Sequence, residues 1–225
     1  MAAGRVCQPG GENICRNPAL LQRCDTLGLA ELGTMCDPRA SCSIIQDNGL
    51  SAAFTVAHEL GHVLNIPHDD DSKCLPYMSV DKMHFVMSRM LDHNTFPWAW
   101  SNCSRHYLTE YLDAGYGDCL LNSPNTNYLR NTGRGARTDL AGETYDASQQ
   151  CKFVFGDQFE ICSYMPVCKR LWCTSGEEEA GCRTQHMPWA DGTACGPDRW
   201  CQRGECRPRS PQADTVHGAW GEWGE

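Results

Sequence analysis

Residues 50–68 read LSAAFTVAHELGHVLNIPH, and the interpretation of the chain turns on them. Asp47-Asn48-Gly49 just ahead is a turn signal, and Asp47 or Asn48 can cap a helix that starts after it. Leu50, Ala53, Phe54, Ala57, Leu60, Gly61 and Leu64 recur at i, i+3, i+4 spacing, which predicts an amphipathic helix over Leu50–Leu64. Asn65 tolerates a positive φ and Pro67 cannot continue the helix, so it stops there.

On such a helix His58 and His62 lie one turn apart and project from one face. Two neutral imidazoles so placed can bind one Zn²⁺ at about 2.0–2.1 Å. Glu59 stands beside the metal and not on it, where a general base takes a proton from metal-bound water. His68, beyond the turn, can double back as a third ligand. Three protein ligands leave one position open, which marks a catalytic and not a structural zinc site. The competing interpretation is a pair of ordinary surface or core histidines, and the third His at this offset weighs against it. Asp69 either anchors a ligand from behind or belongs with Asp70 and Asp71 to a solvated acidic run.

On either side of this motif, Thr26–Ala30 and Cys42–Gln46 read as short strands. Residues 69–100 are mostly irregular. Ser101–Ala114 reads as a second helix with Tyr107, Leu108, Tyr111 and Leu112 apolar and Gly115 as its stop. Residues 122–142 are polar and linker-like, and residues 143–209 form a loop-rich module.

Sixteen cysteines divide evenly, eight from Cys7 to Cys119 and eight from Cys151 to Cys206. Their spacings lack paired C-x-x-C knuckles, so disulfides are expected before structural zinc. That implies an oxidising, secreted setting, although MAAGRVCQPGGENIC at the N-terminus holds no apolar signal core. A net charge of −9 speaks against a general nucleic-acid binder, and no apolar run reaches membrane-spanning length. Asn102-Cys103-Ser104 is a glycosylation sequon. Arg199, Arg203, Arg207 and Arg209 gather positive charge that could meet a sulfated glycosaminoglycan, or form an ordinary solvated face. No Arg-Gly-Asp occurs.

The HExxHxxxxxH pattern resembles the metzincins, with Asn65 where their turn usually has Gly. Val86-Met87-Ser88 is the best match to their methionine turn, ahead of Met83 and Met90. Cys24-Asp-Thr-Leu-Gly-Leu-Ala, Cys36-Asp-Pro, Ala53-Phe-Thr-Val-Ala-His58, His68-Asp-Asp, Pro97-Trp98 and Tyr116-Gly-Asp-Cys-Leu-Leu121 together resemble the ADAMTS proteases, the disintegrin and metalloproteinases with thrombospondin motifs. The likeness covers residues 14–225.

That resemblance implies an α+β fold: the C-terminal part of a metzincin zincin domain followed by a small disulfide-rich, loop-rich module. It implies an unmatched segment 1–14, a partial catalytic domain at 15–122, a linker at 123–142, a disintegrin-like module at 143–209, a second linker at 210–217, and the start of a thrombospondin type 1 repeat at 218–225. It implies the disulfides Cys15–Cys24, Cys36–Cys119 and Cys74–Cys103, and leaves Cys7 and Cys42 unpaired or irregular. Cys119 (backbone) and Asn122 match positions that bind Ca²⁺ in related adamalysins. Thr26, Leu27, Gly28, Leu29 and Ala30 match the edge strand that receives an extended substrate. The implied activity is a secreted zinc endopeptidase acting on extracellular-matrix proteins, with proteoglycan cores as the substrate class. The alternative is an inert chain that binds matrix through its cysteine module. About 50 residues precede the zinc helix, fewer than the family places there, so the helix is expected to be poorly covered.

Overall fold

The computed structural model describes residues 27–78, 83–123, 140–176 and 181–209. The Cys15–Cys24 pairing, Cys7, Thr26, the segment 1–14, most of the first linker and residues 210–225 lie outside the described residues.

Two short strands, β1 (Gly28–Ala30) and β2 (Ser43–Ile45), pair antiparallel with Gly28 opposite Ile45 and Ala30 opposite Ser43. The helix α1 (Ala52–Val63) packs on both. Its cap is Ser51, not Asp47 or Asn48; the Asp47 carboxylate accepts from the Gly49 N–H in a local turn instead. Asn65 ends it with φ 68°, in the left-handed region that Asn tolerates. The buried face differs from the apolar stripe read in the sequence. Thr55, Glu59, His62 and Val63 are buried, whereas Ala53 and Leu60 are exposed. The strands lie against the Glu59 side of the helix, where a Cβ on Gly28 of β1 would overlap the Glu59 side chain. Val56 and Leu60 remain 47% and 46% exposed on the outer side.

Beyond a 3-10 turn (Ser72–Tyr77), the chain folds back through residues 83–100 to α2 (Asn102–Asp113). Ser101 caps α2 by accepting from the Ser104 N–H. Tyr111 is buried, but Leu112 is 43% exposed. Cys36–Cys119 and Cys74–Cys103 are disulfide-bonded. Cys42 is disulfide-bonded too, so it is not unpaired, and no described cysteine is free.

The second unit begins at α3 (Ala141–Thr144), inside the stretch read as linker. Gly142 is the reason: its N–H donates to the Asp191 carbonyl, and a Cβ there would overlap Thr193. The helix α4 (Ala147–Phe155) carries a capping box between Asp146 and Gln149. Strands β3 (Glu160–Ile161) and β4 (Cys173–Thr174) pair, and β5 (Ala194–Gly196), β6 (Arg199–Gln202) and β7 (Glu205–Pro208) form a three-stranded meander. Four disulfides staple the unit: Cys151–Cys173, Cys162–Cys182, Cys168–Cys201 and Cys195–Cys206. The sulfurs share the core with Phe159, Leu171 and Trp189. So small a unit has too little apolar area to hold itself together, and cross-links supply the difference.

The two units meet at Arg170. This side chain is 5% exposed, and its Nη2 donates to the carbonyls of Asp92, His93 and Thr95 at 3.1, 3.1 and 2.7 Å. Beside it, Lys169 lies 5.4 Å from the centre of the Phe96 ring, and Trp98 fills the space where a side chain on Gly204 would stand. Arg170→Ala would remove the donor from three carbonyls, the Thr95 one in a buried position. It is expected to destabilise the chain by about 2–4 kcal/mol in urea unfolding, with Arg170→Lys losing less. A loss under about 0.5 kcal/mol would mean that water replaces the guanidinium freely.

Candidate metal centre

Three imidazoles converge at the end of α1. His58 Nε2 lies 3.1 Å from His68 Nε2, and His62 Nε2 lies 3.0 Å from it. The orientation of the first two is fixed from behind. His58 Nδ1 is 2.7 Å from the Val86 carbonyl and His62 Nδ1 is 2.9 Å from the Ile66 carbonyl. A carbonyl only accepts, so each Nδ1 carries the proton and each Nε2 presents a bare lone pair. A neutral His68 has at most one Nε2 proton to offer these two lone pairs, whereas a cation at their focus would satisfy all three nitrogens. Nitrogens about 2.05 Å from a tetrahedral zinc sit roughly 3.3 Å apart, close to the spacing found. The donor set therefore fits Zn²⁺.

The electrostatics agree. Burial holds the pKa of His58 and His62 below the ordinary value, with the bonds to Val86 and Ile66 opposing. Burial, then repulsion from His62 and His58, pushes His68 down to about 4. All three are thus neutral near pH 7, the form a metal ligand needs. Glu59 is 4% exposed, and burial raises its pKa to about 7. Its Oε2 is buried with no partner among the described residues. Such a carboxyl, next to the ligands, can exchange a proton near neutral pH.

The support behind the ligands joins residues read in the sequence to contacts that only the fold makes. Met87 is fully buried, with Met83 37% and Met90 70% exposed. A Cβ on Gly61 would stand 2.5 Å from Met87 Sδ, so glycine lets the thioether lie against α1. The Asp69 N–H donates to the Met87 carbonyl, and Asp69 Oδ1 accepts from Ser101 at 2.6 Å. Asp69 is thus an anchor for the segment bearing His68, whereas Asp70 pairs with Arg89 and Asp71 caps the 3-10 turn. Sequence reasoning missed Ile66, Gly61 and Ser101, because backbone acceptors and close approaches leave no motif.

Elsewhere the sequence-predicted positions are dispersed. Leu29 is 57% exposed, and among the described residues β1 has one strand partner, β2. Asn102 is exposed at the start of α2. Cys119 and Asn122 lie at the short 3-10 turn Asp118–Leu121, with Asn122 as its last cap. In the basic cluster, Arg207 pairs with Glu205, Arg209 pairs with Glu143, and Arg199 donates to the Cys206 carbonyl. Among the described residues no helix is long and apolar enough to cross a membrane.

Residues 21–124 match the Reprolysin (M12B) family zinc metalloprotease, and residues 141–207 match the ADAMTS cysteine-rich domain 2. The chain is similar to mouse "A disintegrin and metalloproteinase with thrombospondin motifs 20", with 51% identity over 95% of this chain and 11% of the relative. It is similar to "A disintegrin and metalloproteinase with thrombospondin motifs gon-1" of Caenorhabditis elegans, with 52% identity over 94% of this chain and 10% of the relative. The human protein with the same printed name numbered 1 is 45% identical over 89% of this chain and 21% of its own length. The chain thus spans between about a tenth and a fifth of these relatives' lengths. It holds the C-terminal part of a reprolysin domain followed by a cysteine-rich module, and it belongs to the ADAMTS family of metalloproteases.

Proposed function

We propose that the chain carries the catalytic centre of a secreted zinc endopeptidase that cleaves extracellular-matrix proteins, with proteoglycan cores as the substrate class. One observation carries the reading: three convergent imidazole nitrogens, two of them fixed as bare lone pairs, beside a buried and unpartnered carboxyl. His58, His62 and His68 would hold the ion. Zinc bound there supplies Lewis acidity toward a carbonyl and lowers the pKa of a water. Glu59 takes the water proton and delivers it to the leaving amine. An extended substrate adds along the outer edge of the strand Thr26–Ala30 by backbone pairing. The disulfides support an extracellular setting.

The same reading takes Cys119 and Asn122 as calcium ligands and Asn102 as a glycan acceptor. It keeps 15–122 as the partial catalytic unit and starts the second module at α3. A sulfated glycosaminoglycan would have to compete with the carboxylates already on Arg207 and Arg209. The exposed Val56 and Leu60 favour a second reading, in which the first unit is inert and the chain only binds matrix. Metal analysis of the dialysed, oxidised chain, then cleavage of a quenched peptide with and without a chelator, separates the two. About one zinc per chain and chelator-sensitive cleavage are expected. A chain without zinc would leave the binding reading alone standing.

A further inference from the structure

We propose that Gly28 is a positioning residue for the general base, setting the place of the Glu59 carboxylate by having no side chain of its own. The inference rests on the reading of Glu59 as that base.

Gly28 opens β1 and pairs with Ile45, and its φ is one that any residue adopts. Backbone freedom is therefore not why glycine stands here. Space is the reason. A Cβ built on Gly28 would lie 2.6 Å from Glu59 Cγ and 2.7 Å from Glu59 Cδ, and would also overlap Oε1. Carbon atoms do not approach so closely, so a methyl at this position must displace something.

The backbone of Glu59 cannot yield. It sits in α1 between His58 and His62, whose ring nitrogens are tied to Val86 and Ile66. Two movements remain. The Glu59 side chain can rotate away from β1, which moves the carboxylate from the place where the fold holds it. Or β1 can lift from α1, which widens the gap that a substrate strand and the carboxylate share. Both change the distance between base and reacting atoms while leaving the three imidazoles alone. The residue thus acts on geometry through Glu59 and not on the metal. Displacement of a catalytic group by about 1 Å can cost about 10²-fold in rate.

The test is a double-mutant cycle in the full zinc-loaded chain: the parent, Gly28→Ala, Glu59→Ala and the double variant. Zinc content and circular dichroism are read first, then kcat and KM on a quenched peptide, then the affinity of a peptide hydroxamate. That inhibitor chelates zinc and donates its hydroxyl proton to a neighbouring carboxylate, so it reports the position of Glu59 without turnover. Gly28→Ala is expected to keep its zinc and its spectrum, to lose about 10- to 100-fold in kcat with KM little changed, and to bind the hydroxamate more weakly. Glu59→Ala removes Cγ, Cδ and the carboxylate and so clears a methyl at position 28, and the double variant should be no slower, and bind the hydroxamate no more weakly, than Glu59→Ala alone. Parent-like turnover and hydroxamate affinity in Gly28→Ala, losses that simply add, loss of zinc, or an effect confined to KM would each overturn the inference. The last of these would assign Gly28 to substrate pairing along β1. If the zinc-loaded parent cleaves no peptide while Gly28→Ala still weakens the hydroxamate, the endopeptidase reading falls and the positioning role stands.

Discussion

Glu59→Gln is expected to lower peptide turnover by about 10²- to 10⁴-fold, the range that a positioned general base contributes, while zinc stays at about one per chain. The amide matches the carboxyl in size, so it fills the same space beneath Gly28 and leaves His58 and His62 on their carbonyls. It cannot accept a proton and return it. Metal retention separates this outcome from simple misfolding, and kcat/KM on a quenched peptide reads the chemistry. A Glu59→Gln chain that cleaves at the parent rate would show that the base lies elsewhere.

His62→Ala is expected to remove zinc almost entirely, from about one per chain toward none after dialysis. His62 is the most buried of the three ligands, at 6% exposure, and its Nδ1 proton is the partner of the Ile66 carbonyl. The substitution therefore takes away a ligand, opens a cavity and strands a buried acceptor. The metal-free variant should also unfold about 1–3 kcal/mol more easily than the metal-free parent. Metal analysis and urea unfolding read the two effects separately. Full zinc retention would mean that His58 and His68 find a third ligand in place of His62, and the three-histidine centre would be wrong.

Much of this site is legible in the chain itself. His58, Glu59 and His62 follow from helical periodicity, and Asn65 with Pro67 marks the turn that returns His68. Met87 is distinguishable from Met83 and Met90 in the sequence only through resemblance, and its complete burial follows from the fold. The apolar stripe misled in a specific way. It identified a helix, but Ala53 and Leu60 face outward while Thr55 and Glu59 are covered. Periodicity gives the faces of a helix and does not say which face its neighbours take, since that depends on elements distant in sequence.

Local chemistry is written in the order of the residues: a metal-binding helix, its stop, and a cysteine-stapled second half. Those depend on neighbours within a turn or two, where spacing fixes geometry. Long-range folding supplied everything else. It chose the Val86 carbonyl that sets the His58 tautomer, and the pairing of the cysteines from Cys151 to Cys206. It also placed Arg170 on the carbonyls of Asp92, His93 and Thr95, and brought Gly28 against Glu59. Backbone acceptors and missing side chains carry no residue signature, and contacts between distant segments exist only once the chain has closed on itself.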